Sequence, residues 1–178
     1  MAVPARRTHA PGTYFVTSRT WESRKLFTKP PVCEIFMEAL LYYRSEGEYL
    51  LHSFVLMPDH CHLLLTPGSD ATLERAVKLI KGGSAHRIGQ KLNFHFPVWQ
   101  RGFTDHRIRD AQDYETHLQY IEQNPVKAGL VSSASEYPWS SASGRFPVDE
   151  YPQGLKPLSI RVFSGTVETV PLLIARNK

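Results

Sequence analysis

The sequence predicts an α+β domain in which helices cover one face of an antiparallel β-sheet. Short segments rich in β-branched and aromatic residues indicate strands, and longer segments with apolar residues at helical spacing indicate helices. Their order along the chain is strand, helix, strand, strand, helix, a short strand and a last helix. With 178 residues, of which 42% are hydrophobic, the chain is long and apolar enough for one domain with a real core.

The first half of the chain supplies three strands and one helix. Residues 14–21 read YFVTSRTW, which is typical of a strand. Residues 32–46 follow two prolines and carry apolar side chains every three or four positions, so they predict a helix. Residues 49–56 and 60–66 predict two more strands, and the Pro58-Asp59 pair between them predicts a turn.

The second half supplies two helices and one short strand. Thr72 is a suitable N-cap for a helix that ends at about residue 91. Residues 96–100 predict the short strand. A helix that begins at about Asp110 is expected to end at Asn124, because Pro125 disfavours the helical conformation in the residue before it.

Composition sets limits on the environment and on the partners. Residues 13–145 form the predicted domain, between a flexible basic arm at 1–12 and an extension at 146–178 whose pattern predicts no clear element. The formal net charge of +4 and the pI of about 9.1 permit a polyanionic partner without requiring one. Two distant cysteines, Cys33 and Cys61, form no disulfide framework. Since no signal-peptide core and no run near the roughly 18 apolar residues of a membrane span occurs, we expect a soluble cytoplasmic protein without membrane contact.

The stretch MPDHCHLLLT at residues 57–66 places two histidines on one strand. Alternate residues of a strand share a face, so His60 and His62 point together while Cys61 points into the core. Two imidazoles on one face can bind one cation, and imidazole ligands alone indicate zinc as readily as other ions. The spacing equally allows two histidines that are satisfied by hydrogen bonds near a strand end. Cys61 then is a small buried hydrophobe and not a redox group.

The stretch HLQYIEQNPVKAGLV at residues 117–131 places polar groups on one side of a helix. Tyr120 and Asn124 are one turn apart on the same face, with His117 nearly in line. Asn124 offers a carbonyl oxygen, which is a suitable ligand for a hard divalent cation. A tyrosine phenol needs a cation or a base to become a good nucleophile at neutral pH. The spacing alone also fits a half-buried tyrosine and an asparagine that ends a helix before a proline.

Together, the two stretches resemble those of the REP-associated tyrosine transposases, which belong to the single-strand tyrosine transposases within the HUH endonucleases. MPDHCHLLLT is followed about sixty residues later by YIEQNPVKAGLV. Three further stretches stand in the order in which that family carries similar ones: VTSR at 16–19, VWQRGF at 98–103 and YPWSS at 137–141. The resemblance covers roughly residues 13–143, and it is specific because several motifs occur in the right order.

This resemblance implies a fold, a set of site residues and a reaction. The implied fold is a ferredoxin-like (RRM-like) antiparallel sheet with the catalytic tyrosine on a helix in the C-terminal half. His60 and His62 match the metal-binding histidine pair, Asn124 matches the polar residue that completes the metal site, and Tyr120 matches the catalytic nucleophile. The implied enzyme is a DNA transposase and endonuclease. It would use Mg²⁺ or Mn²⁺ to cleave and rejoin single-stranded DNA through a 5′-phosphotyrosine intermediate.

The implied substrate is single-stranded DNA that carries a hairpin, bound by a monomer or a homodimer. Basic side chains would bind its phosphates, and they would make the affinity fall as salt rises. Each of these side chains is also an ordinary feature of a solvated surface. The candidates are Arg6 and Arg7 on the arm, Lys78 and Lys81 on the second helix, and Arg101, Arg107 and Arg109 before the tyrosine helix.

Two other functions compete with the transposase. A domesticated protein that binds DNA hairpins such as REP-like elements without cutting them would share the fold and the basic surface. It would not need all four intact site residues. A small RNA-binding module on a ferredoxin-like sheet would carry stacking aromatic residues on its central strands. Residues 60–66 show histidine and leucine there instead, which argues against it.

Overall fold

The computed structural model describes residues 11–152 of the 178-residue chain. They form four strands and three α-helices: β1 (Tyr14–Arg19), α1 (Pro30–Ser45), β2 (Tyr49–Met57), β3 (His60–Pro67), α2 (Leu73–Leu92), β4 (Thr104–Arg107) and α3 (Ala111–Lys127). Short 3₁₀ turns lie at Trp21–Ser23, Leu26–Thr28, Ala134–Glu136 and Ser141–Ser143. No helix within residues 11–152 is long and apolar enough to cross a membrane.

The four strands form one antiparallel sheet in the order β2-β3-β1-β4. β3 returns from β2 through the Pro58-Asp59 turn and lies between β2 and β1. A β-α-β-β-α-β chain with this strand order has the ferredoxin-like arrangement, so the predicted α+β fold is confirmed. In the β1–β3 register, Thr17 is opposite His62 and Arg19 is opposite His60.

Helices α1 and α2 pack against each other and against one face of the sheet. Pro30 begins α1, where its missing N–H costs nothing, and the Thr72 side chain caps α2 by accepting a hydrogen bond from the Arg75 N–H. The two helices bury their apolar stripes against the sheet, as amphipathic helices do. On α2 that stripe comprises Leu73, Ala76, Val77, Ile80 and Ile88.

Helix α3 lies against the opposite face of the sheet. The expectation that helices cover one face therefore holds for α1 and α2 but not for α3. Phe15 on β1 contacts His117 and Tyr120 of α3, whereas its neighbours Tyr14 and Val16 are buried and point the other way. The sheet thus has two covered faces, and the second one carries the polar residues of the candidate site.

The sequence predicts that helix α3 ends at Asn124, but the helix continues through Pro125 to Lys127. A proline removes one N–H donor from a helix, and here the loss falls in the last turn. Pro125 is buried, and its carbonyl accepts a hydrogen bond from the Leu130 N–H at 2.9 Å. Packing of the proline ring offsets the lost hydrogen bond, and Asn124 consequently stays in regular helix.

The prediction of a strand at residues 96–100 is wrong. The fourth strand of the sheet is β4, which begins after this segment. Phe96 is 65% exposed, and Trp99 makes only an isolated bridge to the chain after β1. The Trp99 side chain packs against the rings of Phe27 and Phe36 in the core. β4 reads TDHR, so no apolar alternation marks this short edge strand in the sequence.

The chain after α3 returns to the outer edge of β2. The Leu56 N–H donates to the Trp139 carbonyl at 2.8 Å. Asp149 accepts hydrogen bonds from the Leu51 N–H and from the Arg44 guanidinium group, at 2.6 to 2.8 Å. Contacts with α1 and β2 therefore continue beyond residue 145, where the predicted domain ends.

Candidate active site

Strand β3 places His60 and His62 side by side on the face that α3 covers. Their ring centroids are 4.8 Å apart, and the ring planes meet at 74°. His62 is 5% exposed, whereas His60 is half-buried. The two imidazoles share a face, as strand alternation predicts, and they are close enough to approach one cation.

Each histidine has its Nδ1 atom engaged by a neighbouring side chain. His60 Nδ1 lies 2.6 Å from Asp59 Oδ1, and His62 Nδ1 lies 2.8 Å from Thr17 Oγ1. A carboxylate only accepts hydrogen bonds, so His60 donates from Nδ1 and keeps a lone pair on Nε2 in the neutral ring. Partners of this kind orient metal-binding histidines in proteins, and they leave both Nε2 atoms available here.

The pKa values of His62 and Cys61 are shifted in opposite directions on the two faces of β3. Burial, helped by the positive charges of His60 and Arg19, lowers the pKa of His62 to about 3. The His62 imidazole is therefore neutral at physiological pH, which is the form that binds a metal ion. On the other face, burial raises the pKa of the Cys61 thiol to about 12. Cys61 is a protonated core residue, in agreement with its predicted orientation.

Helix α3 brings Tyr120 to the histidine pair. The Tyr120 ring lies edge-on to His62, with centroids 5.2 Å apart, and edge-on to Phe15 at 5.7 Å. The Lys127 ammonium group lies 5.8 Å from the centroid of the Tyr120 ring. The tyrosine side chain is 41% exposed, so a large substrate can reach it.

Asn124 lies one turn beyond Tyr120 on α3 and is half-buried. Residues four apart on a helix share a side, so Asn124 is on the same side of α3 as Tyr120. The backbone carbonyl of Asn124 accepts a hydrogen bond from the Ala128 N–H, which leaves the side-chain amide as the group for a ligand.

A row of rings connects the histidine pair with the edge of the sheet. His62 stacks on Phe15 at 5.1 Å, Phe15 contacts His117 at 4.7 Å, and His117 stacks on His106 of β4 at 4.7 Å. Phe15 contacts both His62 and Tyr120, so it packs beneath the tyrosine and the histidine pair.

Asp113 in the first turn of α3 holds this helix on β4. Its carboxylate accepts from His106 Nε2 at 2.8 Å and from the Arg109 N–H at 3.1 Å. His117 Nδ1 lies 3.2 Å from Asp113 Oδ1. Burial raises the pKa of Asp113, but the hydrogen bonds from His106 and Arg109 outweigh it, and the net pKa lies below the ordinary value. The network therefore fixes the start of α3 while Asp113 is ionised.

The same three side chains form a second group that could hold a cation. His106, Asp113 and His117 each offer one ligand atom, and these atoms lie within 4.8 Å of one another. The group is partly buried at the β4 edge. Sequence reasoning missed this group, because His106 lies outside the two motifs that direct attention to His60, His62 and Tyr120.

The basic residues expected to contact DNA differ in their surroundings. Lys78 and Arg101 are exposed. The Lys81 ammonium group donates to two backbone carbonyls in the loop before β4. Arg107 donates to a backbone carbonyl of the N-terminal segment, and Arg109 donates to a carboxylate of α3. The two remaining candidates lie outside the described residues: Arg6 and Arg7.

Sequence reasoning missed the side chains that orient the site. Thr17 binds His62, Asp59 binds His60, and Phe15 supports His62 and Tyr120. Alternation along β1 indicates that positions 15 and 17 share a face. It does not show which strand pairs with β1, and only that pairing sets Thr17 opposite His62.

The chain is similar to known proteins in sequence and in fold. The protein family described as "Transposase IS200 like" matches residues 12–124. The REP-associated tyrosine transposase of Escherichia coli (strain K12) is 31% identical over 146 residues, which cover 78% of this chain and 84% of that protein. A relative from Haemophilus influenzae is 31% identical over 152 residues, which cover 80% of this chain and 86% of the relative.

A solved structure of a REP-associated tyrosine transposase bound to a REP hairpin is similar in fold. It aligns with a TM-score of 0.66 and 27% sequence identity, and the alignment covers 92% of this chain and 100% of that chain. The antiparallel sheet and the helices of the present chain therefore belong to a fold that this structure shares.

Proposed function

Because the chain belongs to the IS200-like transposase family, within its REP-associated members, we propose that it cleaves and rejoins single-stranded DNA with Tyr120 as nucleophile. The observation that carries the proposal is the contact between Tyr120 and His62, whose ring centroids are 5.2 Å apart. A nucleophile beside a pair of oriented imidazoles is the arrangement that metal-assisted phosphoryl transfer needs.

One chain holds all the groups of the proposed site. Tyr120 reaches the histidine pair of its own chain because α3 lies on its own sheet. We therefore propose that a monomer is sufficient for cleavage.

The side chains of His60, His62 and Asn124 fit a divalent cation, which we propose to be Mg²⁺ or Mn²⁺. Both Nδ1 atoms are occupied by Asp59 and Thr17, so the free donor atoms are the two Nε2 atoms. Asn124 adds an amide oxygen, a type of ligand that hard cations accept. When bound there, the cation polarises the scissile phosphate and stabilises the charge that develops on it.

The group of His106, Asp113 and His117 is a second candidate for a cation. Its carboxylate already accepts hydrogen bonds from His106 and from the Arg109 N–H. A cation there would have to displace bonds that hold α3 on the sheet. We therefore propose that this group is structural and that the catalytic cation is held by the His60–His62 pair.

In the proposed reaction, the Tyr120 hydroxyl oxygen attacks the scissile phosphorus and loses its proton. A bond forms between this oxygen and the phosphorus, while the bond from the phosphorus to the 3′ oxygen breaks. The leaving oxygen takes a proton and becomes a free 3′-hydroxyl, and the 5′-phosphate stays on Tyr120. The phosphotyrosine keeps the energy of the broken ester, so attack by another 3′-hydroxyl rejoins DNA without ATP.

We propose single-stranded DNA with a hairpin as the substrate. The support is the solved relative, which is bound to a REP hairpin. Exposed cations such as Lys78 and Arg101 are suitable phosphate contacts, as are Arg6 and Arg7 of the arm. The two cysteines, Cys33 and Cys61, are buried and unpaired, which suits the reducing cytoplasm that we propose as the site of action.

A hairpin binder that does not cut DNA is the alternative function. It would need the fold and the basic surface, but it would need no oriented histidine pair beside an exposed tyrosine. Asp59, Thr17 and Phe15 hold this arrangement in place, which favours the enzyme.

A covalent adduct distinguishes the enzyme from the binder. The full chain is incubated with Mn²⁺ and a set of single-stranded hairpin oligonucleotides labelled at the 3′ end, and the products are separated on a denaturing gel. A 5′-phosphotyrosine retains the 3′ fragment, so we expect a labelled protein band that is lost with EDTA and in Tyr120→Phe. Tight binding without any adduct across the set would favour the non-cutting binder.

A further inference from the structure

We propose that Arg19 and Arg101 bind a DNA backbone phosphate that flanks the scissile one, an inference that rests on the proposed function. The site is an open pocket of about 240 Å³ at the end of β1. Thr17 and Arg19 of β1 form one wall, and Arg101 in the loop before β4 forms the other. None of the other residues that line it is acidic.

The pocket adjoins the histidine pair through β1. Arg19 is opposite His60 and Thr17 is opposite His62 in the β1–β3 register, and opposite residues of neighbouring antiparallel strands are in side-chain contact. Thr17 lines the pocket and also binds His62 Nδ1.

The chemistry of the pocket selects a phosphate group. Arg19 and Arg101 are both exposed, and neither side chain forms an ion pair within residues 11–152. A guanidinium group presents a planar set of donors that matches the oxygens of a phosphate. Two such groups without a carboxylate between them favour an anion strongly.

The wall that carries Arg101 is fixed in place. The Gln100 N–H donates to the Arg19 carbonyl at 2.9 Å, which ties the loop to β1. The Lys81 ammonium group donates to the carbonyls of Gln100 and Gly102 from below. Gly102 has a φ of +73°, a conformation that glycine adopts without strain, so the loop turns sharply after Arg101. The backbone on either side of Arg101 is therefore held at the end of β1.

The location of the pocket determines which phosphate it binds. Tyr120 and the histidine pair enclose the place of the scissile phosphate. The pocket begins on the neighbouring strand, at Thr17 and Arg19, which are opposite His62 and His60. An extended single strand repeats a phosphate at every nucleotide, so a neighbouring phosphate enters the pocket when the scissile one faces Tyr120.

Neutral linkages in the DNA test this pairing. Single-turnover cleavage by the full chain with Mn²⁺ is measured on hairpin oligonucleotides that carry one methylphosphonate, on either side of the scissile linkage. The variants are Arg19→Gln and Arg101→Gln. Arg87→Gln is the control, because the Arg87 guanidinium lies on α2 against the Tyr42 ring, 4.9 Å from its centroid.

For the wild type, a methylphosphonate at one flanking linkage should slow cleavage about 10- to 100-fold. Arg19→Gln should slow cleavage of the natural DNA by a similar factor. The same methylphosphonate should then slow Arg19→Gln by no more than about threefold, because the contact is already lost. Arg101→Gln should show the same loss of sensitivity to a smaller extent, and Arg87→Gln should respond as the wild type does.

Equal sensitivity of Arg19→Gln and the wild type at both flanking linkages would overturn the proposal, since an effect of Arg19 on the histidines alone predicts that result. Wild-type cleavage rates for both Arg19→Gln and Arg101→Gln on natural DNA would overturn it as well. A wild type that cleaves no hairpin oligonucleotide would contradict the proposed function together with this site.

Discussion

The ring of Tyr120 meets the ring of His62 edge-on, at 5.2 Å between centroids and 70° between planes. The two residues belong to α3 and β3, and they meet because α3 lies on the face of the sheet to which the histidines point. Phe15 touches both rings from below. The packing of one helix on one sheet face therefore determines whether Tyr120 lies beside the two histidines.

Replacing Tyr120 by phenylalanine should abolish DNA cleavage and leave hairpin binding within about twofold. Only one hydroxyl group is lost, and the contacts of the ring with His62 and Phe15 remain. The measurements are adduct formation on a denaturing gel and hairpin affinity by fluorescence anisotropy. Cleavage by the variant at the wild-type rate would show that another residue is the nucleophile.

Replacing Thr17 by valine should weaken Mn²⁺ binding about 10- to 100-fold, because His62 loses the hydroxyl group that orients its ring. Thr17→Ser keeps the hydroxyl group and serves as the matched control. Electron paramagnetic resonance of free Mn²⁺ gives both affinities. Equal affinity of the valine variant and the wild type would mean that Thr17 does not orient a metal ligand.

A direct comparison of two variants tests where the cation binds. His60→Ala/His62→Ala should lose the bound Mn²⁺, whereas His106→Ala should keep it, because His106 serves to hold Asp113. Equilibrium dialysis of both variants against Mn²⁺ measures the bound ion. Loss of the ion only in His106→Ala would move the metal site to the group at the β4 edge.

Asp113→Ala should loosen α3 from the sheet. The Asp113 side chain is 9% exposed and accepts hydrogen bonds from His106 and Arg109, so we expect the free energy of unfolding to fall by about 2–3 kcal/mol. Hydrogen exchange of the α3 amides should quicken, and cleavage should slow. Asp70→Asn, in the exposed turn before α2, is the control. Unchanged exchange in α3 would show that the Asp113 network does not hold the helix.

The Arg44–Asp149 pair should make the fold sensitive to acid. Burial raises the pKa of Asp149, but the hydrogen bonds from Arg44 and from the Leu51 N–H outweigh it, so the folded-state pKa lies below its ordinary value of 3.8. A lowered pKa adds stability that is fully present above about pH 5 and is lost as the pH falls through the folded-state pKa. Urea unfolding between pH 6 and about pH 2 measures this loss, to which Asp113 contributes in the same range. Asp149→Asn should show a shallower dependence on pH, and an identical slope would contradict the assignment.

The sequence predicts those parts of the fold that have a strong local pattern. The apolar stripes of α1 and α2, the Thr72 cap and the shared face of His60 and His62 all follow from spacing within one element. The sequence does not predict β4, because an edge strand of four polar residues has no local apolar pattern. The end of α3 is mispredicted because the burial of Pro125, a tertiary effect, outweighs a local preference.

The residues of the candidate site likewise fall into those that a local pattern predicts and those that depend on tertiary structure. The positions of His60, His62, Tyr120 and Asn124 follow from two local motifs read together. Their supporting residues, Thr17 and Asp113 among them, depend on strand register and on the face that α3 covers. Spacing along the chain specifies neither the strand register nor the face that α3 covers, because several sheet orders are compatible with the same succession of elements.

The most direct test of the central claim is to identify the residue that carries the DNA. The covalent product formed by the wild type with Mn²⁺ is digested with trypsin and nuclease, and the modified peptide is sequenced by mass spectrometry. We expect a nucleotide 5′-phosphate on Tyr120, in the peptide that ends at Lys127. A nucleotide on any other residue would contradict the account, as would cleaved DNA without a covalent protein product.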